Sequence, residues 1–446
     1  MRKLVLFVIS LITIASSAQD TLTLQRAIEM GLNNNYQIRI SYKELAIDQN
    51  NNTWGTAGRY PTITFNTAVS GVADRYADAS LLQLANENLA DTVDVNTQQS
   101  LFITPSVNLN WVLFNGMSVN INKAKLAYIE QLSEGNTAIV VENTLQSILL
   151  AYHIVLVQGE ALEVLNEVKI LSRDRYGYVK ARKEFGNAVT FDVLQAENNY
   201  LADSANALRQ EINYKNALRN LNLVLAEPVD QEYILTDEMI EYDREFLFGD
   251  LISKLESNNK TLQNQYVNQE ILKKNVSLSK SELYPTVSLS AGFGRTYTGL
   301  YGDLENYYWD DDGYSANAQL SLTYTLSNGG NVRRTIRNAK IQQEIGELRI
   351  EEMKQALYNQ LFNTYEQYTI KRQLLHVSDA NVKSARLNLQ IAEEKYKSGA
   401  INSFNYRDIQ LIYLNAVRDQ LEAKYNVIES FTELLRLTGG IITEYE

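Results

Sequence analysis

Apolar and small polar side chains alternate in four segments, and period two is the mark of a strand with two unlike faces. In residues 62–72, Ile63, Phe65 and Val69 oppose Thr62, Thr64, Asn66 and Ser70. In residues 102–112, Pro105, Val107, Leu109 and Trp111 oppose Thr104, Ser106, Asn108 and Asn110. Residues 286–297 set Val287, Leu289, Ala291 and Phe293 against Ser288, Ser290, Gly292 and Gly294. Residues 315–326 set Ala316, Ala318, Leu320, Leu322, Tyr324 and Leu326 against Asn317, Gln319, Ser321, Thr323 and Thr325. The polar faces are Ser, Thr, Asn, Gln and Gly, whereas a soluble sheet exposes Lys and Glu on its wet face. Uncharged polar groups suit a wetted lumen, with the apolar face in lipid. A soluble antiparallel sheet is the alternative. Four strands cannot close a membrane barrel, and an open edge in lipid leaves backbone groups unsatisfied. Membrane strands of this number therefore require several copies to share one barrel.

A second period dominates the rest. Leu361, Tyr368, Leu375, Val382, Leu389 and Tyr396 recur every seventh residue, as do Leu414, Leu421, Ile428 and Leu435, and Leu194, Leu201 and Leu208. Such spacing predicts coiled-coil seams. About seventy residues between Asn115 and Phe185 lack proline; as one helix they would extend roughly 100 Å. Gly186 and Gly399 interrupt the long stretches and predict turns, so each stretch folds back as a hairpin.

The chain is a duplication. Gly186-Asn-Ala-Val-Thr-Phe191-Asp192 is echoed by Gly399-Ala-Ile-Asn-Ser-Phe404-Asn405 at an offset of 213, which also superposes Asn115-Gly116 on Asn328-Gly329 and Trp111 on Tyr324. Upstream the offset is 224, placing Tyr60-Pro61 on Tyr284-Pro285 and Asn34-Asn35 on Asn258-Asn259. The expected organisation is a leader over residues 1–18, a first repeat over 19–226 and a second over 251–446. An irregular connector at 227–250 joins them, holding Pro228 and nine acidic residues. Each repeat runs helix (24–58, then 247–283), strand pair, long helical hairpin. The leader is read from Arg2 and Lys3, the apolar run from Leu4 to Ile14, and the small residues Ser16-Ser17-Ala18. Beyond it no unbroken apolar run approaches the ~18 residues of a spanning helix; the longest, from Ile148 to Val157, has ten.

Composition narrows the chemistry. The net charge is −12, and −14 without Arg2 and Lys3, a sign opposed to nucleic-acid binding. No cysteine and only two histidines, His153 and His376, leave no thiolate or multi-histidine metal centre. With no Gly-rich phosphate loop and no Gly-x-Ser-x-Gly either, the expectation is no enzyme, no cofactor and no metal. Tyr301, Tyr307, Tyr308, Trp309 and Asp310–Asp312 predict a polar loop between strands; a Ca²⁺ site in residues 303–312 is a weaker alternative to a solvated loop. Trp111 and Tyr324 fall where an interfacial aromatic girdle belongs.

The order of motifs resembles the TolC-like outer-membrane efflux proteins over the mature chain. It rests on Leu22-Thr-Leu-Gln-Arg-Ala-Ile28, Asn33-Asn-Asn35, the two Tyr-Pro pairs, Trp111-Val-Leu-Phe-Asn-Gly116, Leu326-Ser-Asn-Gly-Gly330 and the two Gly-x-x-x-[Thr/Ser]-Phe-[Asp/Asn] turns. The resemblance implies a membrane β-barrel of four strands per protomer, closed as a homotrimer and continued by a long α-helical coiled-coil barrel. It implies an outer-membrane location extending into the periplasm, and a passive exit duct for efflux or type I secretion. The implied partners are a periplasmic adaptor protein, an inner-membrane pump and outer-membrane lipid. By the same resemblance Asp408 and Asn405 line the constriction, and Asp192 and Tyr396 hold the gate. The turns Gly186, Asn187, Ala188, Val189 and Gly399, Ala400, Ile401, Asn402 dock the adaptor. Two departures stand out: Asn405 replaces a frequent acid, and Ile401 a frequent Arg. The alternative function is a periplasmic coiled-coil scaffold without a channel.

Overall fold

The computed structural model describes residues 20–77, 95–239, 243–301 and 308–445. The expected leader lies outside them, as do residues 302–307 and the side chains of Asp310–Asp312, and with them the proposed Ca²⁺ site. The chain divides into two compact units, residues 45–133 with 265–350, and residues 1–44 with 134–264 and 351–446.

The first unit contains an antiparallel sheet of four strands: β2 (Thr62–Ala77), β3 (Val95–Asn115), β5 (Thr286–Tyr301) and β6 (Tyr308–Thr323), in the order β2-β3-β5-β6. The strands run further than the alternation suggested. Tyr308, Trp309 and Asp310–Asp312 belong to β6, not to a loop, and Tyr324 and Leu326 lie just past its end. The pattern-based bounds stopped where period two lapses, near the bulge between Arg295 and Tyr297. There Gly313, at φ +90°, takes a conformation that L side chains rarely adopt. Register keeps each polar row in line: Thr64, Asn108, Gly292 and Asn317 lie side by side, as do Thr62, Asn110, Ser290 and Gln319. A Cβ at Gly292 would come within 2.6 Å of Asn317 Oδ1, so a larger residue there requires the Asn317 side chain to shift.

The second unit is mostly helical. Each half opens with two helices where the hydrophobic pattern suggested one: α1 (Leu24–Asn34) and α2 (Tyr36–Asn51), then α5 (Phe248–Asn258) and α6 (Lys260–Ser281). Several of the helices, α2 and α6 among them, run on into the first unit. Asn35 and Asn259 make the breaks. Asn35 Oδ1 accepts from Gln37 N–H at 2.8 Å while its amide donates to the Val224 carbonyl at 2.8 Å. Asn259 Oδ1 accepts from Leu262 N–H at 2.9 Å while its amide donates to the Leu437 carbonyl at 3.0 Å. One device therefore occurs twice, with donor and acceptor sites at the two sequence offsets. The strand β1 (Asp20–Leu22) pairs in parallel with β4 (Tyr233–Leu235), in the expected irregular connector. Asp237 ties this corner down, accepting from Leu24 N–H at 2.6 Å and from the Tyr152 hydroxyl at 2.8 Å.

Both long stretches are continuous helices, α3 (Ser118–Glu184) and α7 (Asn331–Lys397), which contribute to both units. They return as α4 (Thr190–Leu225) and α8 (Ser403–Leu437). A short α9 (Ile441–Tyr445) follows. The seam from Leu361 to Tyr396 is buried throughout. The Leu194, Leu201 and Leu208 stripe is not: each is more than half exposed. The buried face of α4 carries Ala196, Asp203, Ala207 and Ala217 instead. Heptad spacing identifies a seam without saying whether its partner is in the same chain. Helix α3 also holds an 18-residue window of mean hydropathy 1.6, apolar enough to cross a membrane by length and composition, although no unbroken apolar run does so. Leu145, Ile148, Leu149, Tyr152 and Val155 give it a protein-facing cause, since all five lie in the core.

Candidate functional site: the hairpin turns and the sheet faces

The two turns share one geometry. Gly186 at φ +75° and Gly399 at φ +76° reverse the chain. Asn187 N–H reaches back to the Arg182 carbonyl at 2.8 Å, and Ala400 N–H to the Lys395 carbonyl at 2.8 Å, the 6→1 closure of a helix end. Both return helices are capped by side chains. Asp192 Oδ2 accepts from Val189 N–H at 3.2 Å, and Asn402 Oδ1 from Asn405 N–H at 2.9 Å. Asn187, Val189 and Asn402 are exposed and Ala188 and Ile401 half-buried; Asn405 and Asp408 both face solvent in the protomer.

Tyr396 is buried. It stacks on Tyr406 with centroids 5.0 Å apart and meets Tyr178 edge-on at 5.8 Å. The Arg175 guanidinium lies beside it: burial lowers the pKa of Arg175 from its ordinary value, and the Tyr396 hydroxyl opposes that shift. Arg175 also donates to the Ser403 hydroxyl. Next to it, Arg407 on α8 makes a two-pronged pair with Asp203 on α4, both bonds 2.6 Å, and the Ser172 hydroxyl donates to the same carboxylate. Asp203 is only 1% exposed. The ties between the first and second hairpin thus include Arg175–Ser403 and Asp203–Arg407, residues that sequence reasoning did not select. Asp192 and Tyr396 were selected, but in the protomer Asp192 caps its own helix and Tyr396 meets Arg175. The signal for Asp203 was present: it is the one acid among the buried residues of α4, which are otherwise Ala196, Ala207, Ala217, Leu218, Leu221, Asn222 and Leu225.

The sheet has an exposed apolar face. Ile63, Phe65, Val69, Leu320 and Leu322 are each about two-thirds exposed. Trp111 sits where the strands meet the helices, its indole N–H donating to the Arg59 carbonyl at 2.8 Å. Tyr324 is half exposed just past β6.

Residues 251–440 match the family model described as Outer membrane efflux protein. The match falls within the second half of the chain. Beyond the matched residues, the fold of nearly the whole chain matches solved structures. One is the Campylobacter jejuni CmeC outer membrane channel, at TM-score 0.72 and 15% identity, covering 94% of this chain and 86% of that one. Another is the outer membrane protein VceC from Vibrio cholerae, at TM-score 0.69 and 14% identity, covering 94% and 96%. A third is the open state of the Neisseria gonorrhoeae MtrE outer membrane channel, at TM-score 0.68 and 14% identity, covering 94% and 89%. At these identities the likeness is one of fold. No curated protein matches the chain.

Proposed function

We propose that the chain is the outer-membrane exit duct of an efflux or type I secretion system, extending into the periplasm and conducting its cargo passively. The observation that carries this is the sheet with an exposed apolar face and rows of uncharged polar residues on the other, in a chain whose residues 251–440 match the efflux-protein family model. Only lipid on one side and water on the other suit both faces. The unpaired edges of β2 and β6 and the exposed Leu194–Leu201–Leu208 stripe favour a homotrimer, in which twelve strands close one barrel and α4 packs against a neighbouring copy. The two hairpin turns are the proposed contact for a periplasmic adaptor, which would link the duct to an inner-membrane pump. The repeats over 19–226 and 251–446, joined through 227–250, supply equivalent halves of this duct. The conduit itself performs no covalent chemistry.

At the turns, Asp408 and Asn405 are the proposed lining of the constriction. Repeated threefold, Asp408 would favour cations by its focused field. Tyr396 is the proposed gate residue, acting within its own protomer on Arg175, with Asp192 fixing the turn of the first hairpin. Planar bilayers test the reading. The reconstituted protein should conduct, and its detergent-extracted form should run as a heat-modifiable trimer. Tyr396→Phe should raise resting conductance, and Asp408→Asn should weaken cation preference. A water-soluble, non-conducting monomer would instead favour a periplasmic scaffold.

A further inference from the structure

Among the described side chains on the apolar face of the sheet, Arg295 is the only charged one. Alternation puts it with Leu289, Ala291 and Phe293 on β5, and register sets it opposite Tyr314 on β6. Its guanidinium lies between two rings, 4.5 Å from the Tyr297 centroid and 4.8 Å from that of Tyr314, and Nη1 meets the Tyr314 hydroxyl at 3.2 Å. Phe293 stacks on Tyr314 at 5.9 Å and extends the cluster down the apolar face.

Depth decides what such a group can meet. Ten residues separate Tyr314 from Tyr324. At about 3.3 Å per residue and a tilt near 40°, that is roughly 25 Å of height, the thickness of the apolar band of a membrane barrel. Tyr324 and Trp111 mark one border, and Tyr297, Tyr314 and Arg295 the other, on the side of the strand–strand connections. At mid-band a cation on the lipid face costs ~2–4 kcal/mol, and at the border little. The groups that lipid presents at that border are headgroups, and the anionic group common to them is phosphate. A guanidinium has five N–H donors in a rigid fork, which suits phosphate. A fork of five donors can serve the Tyr314 hydroxyl on one edge and a phosphate on another. Clamping by the two rings holds the fork in place before any ligand arrives, which lowers the entropic cost of binding.

We propose that Arg295, Tyr297 and Tyr314 form a binding site for the phosphate of a membrane lipid headgroup, with Phe293 receiving the adjoining acyl chain. The site rests on the reading that this face of the sheet meets lipid. Native mass spectrometry of the detergent-solubilised protein tests it with three probes: diphosphoryl lipid A, a diacylglycerol lacking phosphate, and inorganic phosphate. Wild type should retain lipid A under conditions that strip diacylglycerol. Arg295→Gln should weaken that retention about tenfold, the scale of one lost charge-assisted contact. Millimolar inorganic phosphate should not displace the lipid. Conductance in planar bilayers, expected to be equal in both proteins, reports separately on the conduit. Equal lipid A retention by wild type and Arg295→Gln, with conductance intact, overturns the site and leaves the conduit standing. Displacement by inorganic phosphate overturns it as well, since the occupant would then be the free anion.

Discussion

At the scale of single residues, the pair Asp203–Arg407 is a buried, two-pronged tie between the two hairpins. Two 2.6 Å bonds to a carboxylate 1% exposed leave no solvent to replace a missing partner. Arg407→Met should therefore destabilise the turn-proximal parts of α4 and α8 by about 3–5 kcal/mol, the cost of an uncompensated buried charge. Amide hydrogen exchange across residues 196–210 and 403–410 would register the loss. The double variant Asp203→Leu/Arg407→Met should recover much of it, because an apolar pair needs no counter-charge. Glu142 presents the opposite case, an acid buried with one carboxyl oxygen lacking a hydrogen-bond partner. Burial raises its pKa from 4.5 to about 7, against the pull of Lys260 and Arg436. Its native form thus keeps a proton that the unfolded chain releases near 4.5. The stability it supplies is complete below about pH 4.5 and is lost as pH rises to about 7. Glu142→Gln should flatten thermal stability between pH 5 and 8 and raise it most at pH 8. Neither residue could be picked from sequence for its role: one-dimensional pattern shows an acid among alanines, but only three-dimensional packing shows that Arg407 from a helix two hundred residues away meets it.

At the scale of elements, the sequence was most legible where one period persists. The α7 seam, Leu361 through Tyr396, is buried at every position the heptad named. The strands after each Tyr-Pro begin at Thr62 and Thr286, directly behind Pro61 and Pro285, where no helix can continue. Their far ends were missed. Once the strands leave the band where one face is apolar, alternation ceases to be required, and β3 extends back to Val95, paired with Ala77. The kinks at Asn35 and Asn259 were invisible for another reason. The hydrophobic face continues through each, and only the side-chain bonds to Val224 and Leu437 show why the helix must restart there. The sequence offset that matched Asn34-Asn35 to Asn258-Asn259 held the clue, since a repeated asparagine pair between apolar runs marks a repeated structural need.

At the scale of the whole molecule, the exposed stripe of α4 is what one protomer leaves unfinished. Leu194, Leu201 and Leu208 repeat every seventh residue yet stay more than half exposed, and Ile212 continues the face. On α7, Ile370, Leu374, Val377, Leu387 and Ile391 are exposed as well, on the side away from its buried seam. In the proposed homotrimer these two apolar faces would meet head to tail between neighbouring copies, an arrangement that closes into a ring when the rotation suits it. Burying one leucine contributes about 1.5–3 kcal/mol, and in a trimer each substitution acts at three interfaces. Leu201→Glu should therefore weaken the assembly by about 5 kcal/mol or more, seen as loss of the heat-modifiable trimer. Helical circular dichroism should be retained, because Leu201 does not hold the protomer together. Leu361→Ala is the contrasting case. Leu361 is fully buried within one chain, so its truncation should cost about 2–5 kcal/mol of protomer stability. If Leu201→Glu left the trimer intact, α4 would have no apolar partner in a neighbouring copy, and the helical ring would have to be closed by other surfaces.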